Sequence, residues 1–245
     1  MNKQAKTIMI CSFLITFSLT CMRQLPGVAG IPEWQKAAFC YADFLTGFLT
    51  AGNYMIMQLP MLLIGTMTGF RKQRNVNYIF SCRTRNHIYG NQVKNGLALA
   101  AVLAGAYIIG TLLTAVLTNT SIWKWDLPNG YFQVVYGPLR QRVTFAVFLL
   151  EFFGLLFLRN SCFICMMRFW FWSPVGMIPG LICTVGICTA GAEVPVFARY
   201  FENTGSNPEL WVRGNGTYDY MLILVFTMVL SLLTKRLFVQ QKELS

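Results

Sequence analysis

Charge is scarce in this chain, and negative charge scarcer still. Only 12% of the 245 residues are Asp, Glu, Lys or Arg, and 9 of them are acidic. Coiled coils and disordered tails both need abundant charge, so neither fits. Histidine is nearly absent too. The single one, His87, rules out an H-E-x-x-H zinc site, and its place among bases rather than in an apolar run argues against intramembrane Ser/His hydrolysis. Gly-x-Ser-x-Gly does not occur. Gly47 to Gly52 has the glycine spacing of a phosphate-binding loop, but Asn53-Tyr54 follows where lysine and a hydroxyl would hold phosphate and magnesium. This chain is therefore not expected to be an enzyme.

What fills the sequence instead is apolar. Hydrophobic residues make up 55% of it, and mean hydropathy is +0.50. A bilayer core about 30 Å thick needs roughly 20 apolar residues per helix, or about 17 when flanking bases snorkel. Six runs approach that length: about Thr7 to Met22, Phe44 to Phe70, Leu97 to Thr118, Val143 to Leu158, Pro174 to Ala192 and Tyr220 to Thr234. The expected fold is an all-α polytopic membrane protein of six transmembrane helices, one domain over 1–245. A cleaved signal peptide ending near Val28-Ala29-Gly30 is the competing reading of the first run.

The charges sort by side. The N-terminus, segments 71–96 and 159–173 and the C-terminus hold thirteen bases against Glu243 alone, whereas the opposite segments hold seven bases and seven acids. Positive residues stay cytoplasmic, so both termini are expected inside the cell membrane. The net charge of +11 is then a matter of topology, and no nucleic-acid partner is needed to explain it.

Eight cysteines are present. Cys11, Cys21, Cys183 and Cys188 fall in or beside spans and read as small apolar residues. Cys162 and Cys165 form a lone C-x-x-C without a second pair, so no metal site is expected there. Trp123, Trp125, Tyr131 and Tyr136 in segment 119–142 suit an interfacial aromatic belt. Segment 193–219 is long enough to form a structured outer element between spans five and six. Gly65/Gly69 and Gly176/Gly180 are spaced for close helix approach, and Pro60 and Pro179 are expected to kink their spans.

Polar residues inside the spans are few. Asn53, Gln58 and Glu151 are the candidates for a substrate path, because a carboxylate at mid-depth must face protein or water. Segment 71–96 is too long for a mere connector, and mixes Tyr78, Arg83, Arg85, His87 and Tyr89. It is expected to form an amphipathic cytoplasmic element, bound either to anionic membrane lipids or to a cytoplasmic partner.

Cys82-Arg83-Thr84-Arg85-Asn86-His87-Ile88-Tyr89-Gly90-Asn91-Gln92-Val93-Lys94 is similar to the coupling-helix region of small bacterial permeases. With the six-span topology, the chain resembles the permease subunit of a type-two ABC exporter. Asn86, His87 and Ile88 stand where that region carries bulkier aromatics. The resemblance implies a dimer with a second permease copy or paralogue. It also implies a separate cytoplasmic ABC ATPase subunit that holds the ATP and magnesium, with Tyr78, Arg83, Arg85, His87 and Tyr89 at the contact. A non-transporting accessory or assembly subunit of a membrane complex is the alternative.

Overall fold

In the computed structural model, residues 3–32, 38–47, 50–73, 84–118, 120–138, 143–194 and 216–240 are described. Their secondary structure is helical apart from one isolated bridge between Cys40 and Ser121. The helices are α1 (Lys3–Ala29), α2 (Tyr41–Gly47), α3 (Ala51–Met57), α4 (Leu59–Gln73), α5 (Arg85–Leu117), α6 (Tyr131–Tyr136), α7 (Phe145–Trp172), α8 (Met177–Glu193) and α9 (Gly216–Leu233). A π-helical turn, Thr234–Gln240, continues α9.

Among the described residues, three helices are long and apolar enough to cross a membrane: α1 over Lys6–Ala29, α5 and α7. Two shorter apolar stretches accompany them, Leu59–Gly69 and Met177–Gly191.

Polarity is arranged inside out. On α1 the buried stripe is Ser12, Thr16, Thr20 and Gln24, while Ile10, Leu14 and Met22 are exposed, Met22 to 72%. On α9, Val225, Phe226, Met228, Val229 and Leu232 are likewise exposed, while Thr227 and Ser231 are half-buried. A helix in water buries its apolar face, so an exposed apolar face over a polar buried one marks a lipid solvent. Membrane localisation thus follows from burial as well as from composition.

At the centre α5 packs against α7. The first helix, α1, lies along α5, while α8 and α9 both lie against α7. Two close approaches set these distances. A Cβ on Gly110 would stand 3.0 Å from Thr20 Cβ, where α1 meets α5, and one on Gly96 would stand 2.8 Å from Ile164 Cγ2, where α5 meets α7. Of the paired glycines, Gly65 is pressed against Leu99 and Gly180 against Trp170, whereas Gly69 and Gly176 have open space. Gly176 serves another purpose: at φ +93° it precedes α8 in a conformation that side chains resist.

Several span limits differ from the hydropathy pattern. The second run is not one helix but α2, α3 and α4. Thr50 caps α3, its Oγ1 accepting from the Asn53 N–H, and α3 ends at Gln58. Pro60 follows in the first turn of α4; having no N–H, it cannot bond back into α3, so the expected kink is a break. Pro179 kinks nothing. It too sits in a first turn, that of α8, where the missing N–H has no helical partner to lose.

Residues 85–96 do not form a separate element beneath the membrane. They are the opening turns of α5, which runs unbroken to Leu117, and Arg71–Gln73 are the last turn of α4. The fourth span does not stop at Leu158 either, because α7 continues to Trp172 and buries Arg159 and Arg168. The expected outer element between spans five and six falls on 195–215, outside the described residues.

Within segment 119–142, Trp125 belongs to a packed cap, while Trp123 and Tyr131 are half-buried. Trp125 is fully buried, stacked on Phe132 with centroids 4.1 Å apart and edge-on to Phe148 at 4.8 Å. Its Nε1 donates to Asp43 Oδ1 at 2.7 Å. Asp43 Oδ2 accepts from the Cys40 N–H at 2.8 Å, closing the first turn of α2 as half of a capping box. Burial pushes the Asp43 carboxyl above the ordinary carboxylate range, opposed by these hydrogen bonds.

Candidate functional site

The polar residues that the fold gathers lie along α7, in two clusters on opposite sides. Arg159 and Arg168 are nine residues apart, which at 100° per residue turns their side chains to opposite faces. Both are buried, Arg159 at 0% exposure and Arg168 at 3%.

The first cluster is closed. The Tyr54 hydroxyl donates to Asn160 Oδ1 at 2.6 Å. Asn160 Nδ2 in turn donates to Gln58 Oε1 at 3.1 Å and lies 3.4 Å from the Ala100 carbonyl. The Arg159 guanidinium stands over the Tyr54 ring at 5.6 Å. Helices α3, α5 and α7 thus share one network beside the break at Gln58. These bonds tie Tyr54, Gln58, Asn160 and the Ala100 carbonyl into a polar core, although Gln58 Nε2 is buried without a hydrogen-bond partner among the described residues.

The second cluster is open. Arg168 Nη2 donates to Cys165 Sγ at 2.9 Å and to Ser231 Oγ at 3.2 Å, and the guanidinium covers the Tyr89 ring at 5.0 Å. The Tyr89 hydroxyl donates to the Ser231 carbonyl at 2.8 Å. Beside them a groove of about 300 Å³ runs between α5, α7 and α9, lined by Gly96, Ser161, Ile164, Cys165, Arg168 and Ser231 among others. A site of this size can take a small or slender ligand.

The expected site residues are distributed differently. Tyr78 and Arg83 lie outside the described residues. Arg85 opens α5 behind the cap Thr84, whose Oγ1 accepts from the His87 N–H, and His87 is exposed with Nδ1 3.4 Å from Asn91 Nδ2. Tyr89 lies buried beneath Arg168 rather than at the surface beside His87.

The three path candidates go to three places. Asn53 Oδ1 accepts from Arg23 Nε at 3.2 Å, Gln58 joins the closed cluster, and Glu151 is exposed on α7. Among the described residues no group of three or more His, Cys, Asp and Glu side chains could hold a metal ion. Cys162 and Cys165 are both buried, and neither is in a disulfide.

Arg159, Asn160 and Arg168 carry the clusters, although hydropathy alone ends the fourth span at Leu158 and leaves them in a cytoplasmic loop. A signal was present. No glycine or proline falls between Leu155 and Ser173, and apolar residues resume at Phe163. An uninterrupted helix that carries arginine between two apolar stretches must bury it against protein. Compared with known protein families, curated proteins and solved structures, the chain matches none.

Proposed function

We propose that the chain is a multi-pass permease subunit of the cell membrane, working in an ATP-driven exporter with a second permease copy and a separate ATPase. The observation that carries the reading is the polar interior of an apolar bundle. Two arginines, an asparagine and a glutamine are buried along α7 and the break at Gln58, and intramembrane polar groups are costly enough to mark functional paths. Six spans are compatible with the helices: α1, α5 and α7 at full length, with α3–α4, α8 and α9 as the other three.

In this reading the partner pushes on the start of α5. Because residues 85–96 are continuous with the span, a load on Arg85 or His87 moves α5 as a rod. Buried Tyr89 passes that motion to Arg168 on α7 and Ser231 on α9. ATP and magnesium stay in the partner chain.

Purification of the tagged chain from its native membrane tests the reading. A P-loop ATPase is expected in equal amount, with hydrolysis that falls when Arg83 and Arg85 are replaced by Glu. A bound ATPase indifferent to those changes would point to an accessory subunit, and no ATPase at all would remove the exporter. Single-cysteine labelling in a background without native cysteines tests the topology. Position 203 is expected to react from outside and position 73 only after permeabilisation.

A further inference from the structure

The groove beside Arg168 is built from three matching stripes. On α7, Ser161, Cys165 and Arg168 follow at i, i+4 and i+7. On α9, Leu224, Met228 and Ser231 do the same, and Val93, Gly96 and Leu97 complete the walls from α5. These are the spacings of one helix face, so the groove runs parallel to the helices. Its mouth reaches the apolar outer surface, because Leu97 and Met228 line it while 43% and 58% exposed.

One end is charged. Arg168 is 3% exposed, and its described contacts are a thiol, a hydroxyl and an aromatic ring, none of them anionic. Its Nε is buried without a hydrogen-bond partner among the described residues, and so is Ser161 Oγ two turns away on the same wall. A buried guanidinium with spare donors fits a phosphate geometrically as well as electrically. The rest of the lining is largely apolar.

Depth selects the ligand. Arg168 is four residues from the end of α7, about 6 Å at 1.5 Å per residue, and the aromatic run Phe169 to Trp172 closes the helix. Tryptophan at a helix end marks the level of the lipid headgroups. From Arg168 the groove extends back to Phe157, eleven residues or about 16 Å toward the bilayer centre. A lipid in the cytoplasmic leaflet has this same order, phosphate at the surface and chain inward.

We propose that the groove between α5, α7 and α9 binds a membrane phospholipid with an anionic headgroup, its phosphate on Arg168 and one acyl chain along the stripes. The anion satisfies a cation that the protein leaves with neutral contacts, and the chain fills a gap that opens onto the bilayer. The site does not depend on the transport reading; it would serve an accessory subunit equally well.

The test uses the full chain purified in dodecyl maltoside, with its melting temperature followed during lipid titration. Dioleoylphosphatidylglycerol is expected to raise it by several degrees. Dioleoylphosphatidylcholine, oleate and inorganic phosphate, each at the same concentration, are expected to leave it nearly unchanged. Arg168→Gln is expected to weaken the phosphatidylglycerol response about tenfold in concentration, the loss of one charge-assisted contact. Met228→Trp, at a half-exposed position, fills the groove and keeps the arginine, so it serves even where Arg168→Gln fails to fold. It is expected to abolish the response.

Equal shifts from the two phospholipids would overturn recognition of the headgroup charge. A full response to inorganic phosphate or oleate would make this a site for a small anion or a soluble amphiphile. An unaltered response in Met228→Trp would place the lipid elsewhere and end the proposal.

Discussion

The two faces of α7 solve the same problem in opposite ways. Both bury an arginine in an apolar bundle. On one face Arg159 lies over Tyr54, next to Asn160, whose amide is shared with Gln58, Tyr54 and the Ala100 carbonyl. On the other, Arg168 meets a thiol, a serine and a ring, and a groove remains beside it. The closed face has little to offer a ligand, and its interlocked bonds should make it stiff. The open face is held by a comparable set of bonds but has room beside them, so ligand chemistry belongs there. A buried charge alone therefore does not mark a site; what lies beside it does.

The comparison breaks most easily at Asn160. Asn160→Leu, similar in size, strands the Tyr54 hydroxyl and the Gln58 amide together, and each unsatisfied buried group costs about 1–3 kcal/mol. A loss of about 2–4 kcal/mol is expected in detergent unfolding. An unchanged unfolding midpoint would mean that the closed network does not hold the bundle.

Tyr54→Phe sharpens the same face. It removes one donor to Asn160 and should cost about 1–2 kcal/mol. The loss should largely disappear when Asn160 is already leucine. Additive losses in that double-mutant cycle would separate the two residues.

The open face should be more forgiving. Arg168→Met, measured in neutral detergent, removes a charge with a spare donor and keeps a flexible unbranched apolar side chain. A change within about 1 kcal/mol is expected, since the lost hydrogen bonds to Cys165 and Ser231 are offset by relief of the cost of burying a guanidinium with only neutral contacts. A loss as large as that of Asn160→Leu would make the two faces equivalent.

The smallest effect is expected at the outer cap. Asp43 has a raised carboxyl pKa through burial, so the folded state holds its proton to higher pH than the unfolded chain does. Its contribution is complete below the ordinary carboxylate range and is lost as pH rises through the raised value. Melting temperature should therefore decline slightly with rising pH over that window, and Asp43→Asn should flatten the decline. A slope that survives in Asp43→Asn belongs to another group.

The helices themselves were largely legible in the sequence, because hydropathy acts over runs of residues. All six runs contain helix, and α5 ends within one residue of its run, although it begins twelve residues earlier, at Arg85. The ends of α7 were not. Arg159 reads locally as a stop signal, and only the apolar residues beyond it reveal that the helix continues. Segment 71–96 misled for a related reason: bases and aromatics suggested a surface element, while Thr84 caps a helix that passes straight into the span.

The site was harder still. Tyr54 and Asn160 are 106 residues apart, and Tyr89 and Ser231 are separated by 142. Periodicity says which face a residue occupies and nothing about which distant side chain meets it. Glu151 drew attention as the one acid in a span, yet it is exposed on α7, and the buried polarity gathers around arginine instead.

The placement of Arg159 also bears on the order in which the chain is made. A helix entering the membrane with arginine near its centre carries a penalty of about 2.5–3.5 kcal/mol on insertion scales. Tyr54, over whose ring Arg159 stands, and Gln58 and Ala100, which bond the adjacent Asn160, all precede α7 in the chain, so this part of the shelter can be assembled before α7 leaves the ribosome. Ser231, which receives Arg168, is synthesised last of the residues in either cluster. Membrane integration of α7 should then depend on the helices translated before it, and nascent chains halted after Trp172 should integrate better with α3 to α5 present than α7 does alone. The earlier helices act as a receiving dock for the later one, and the final helix closes the bundle over Arg168 only when translation is nearly complete.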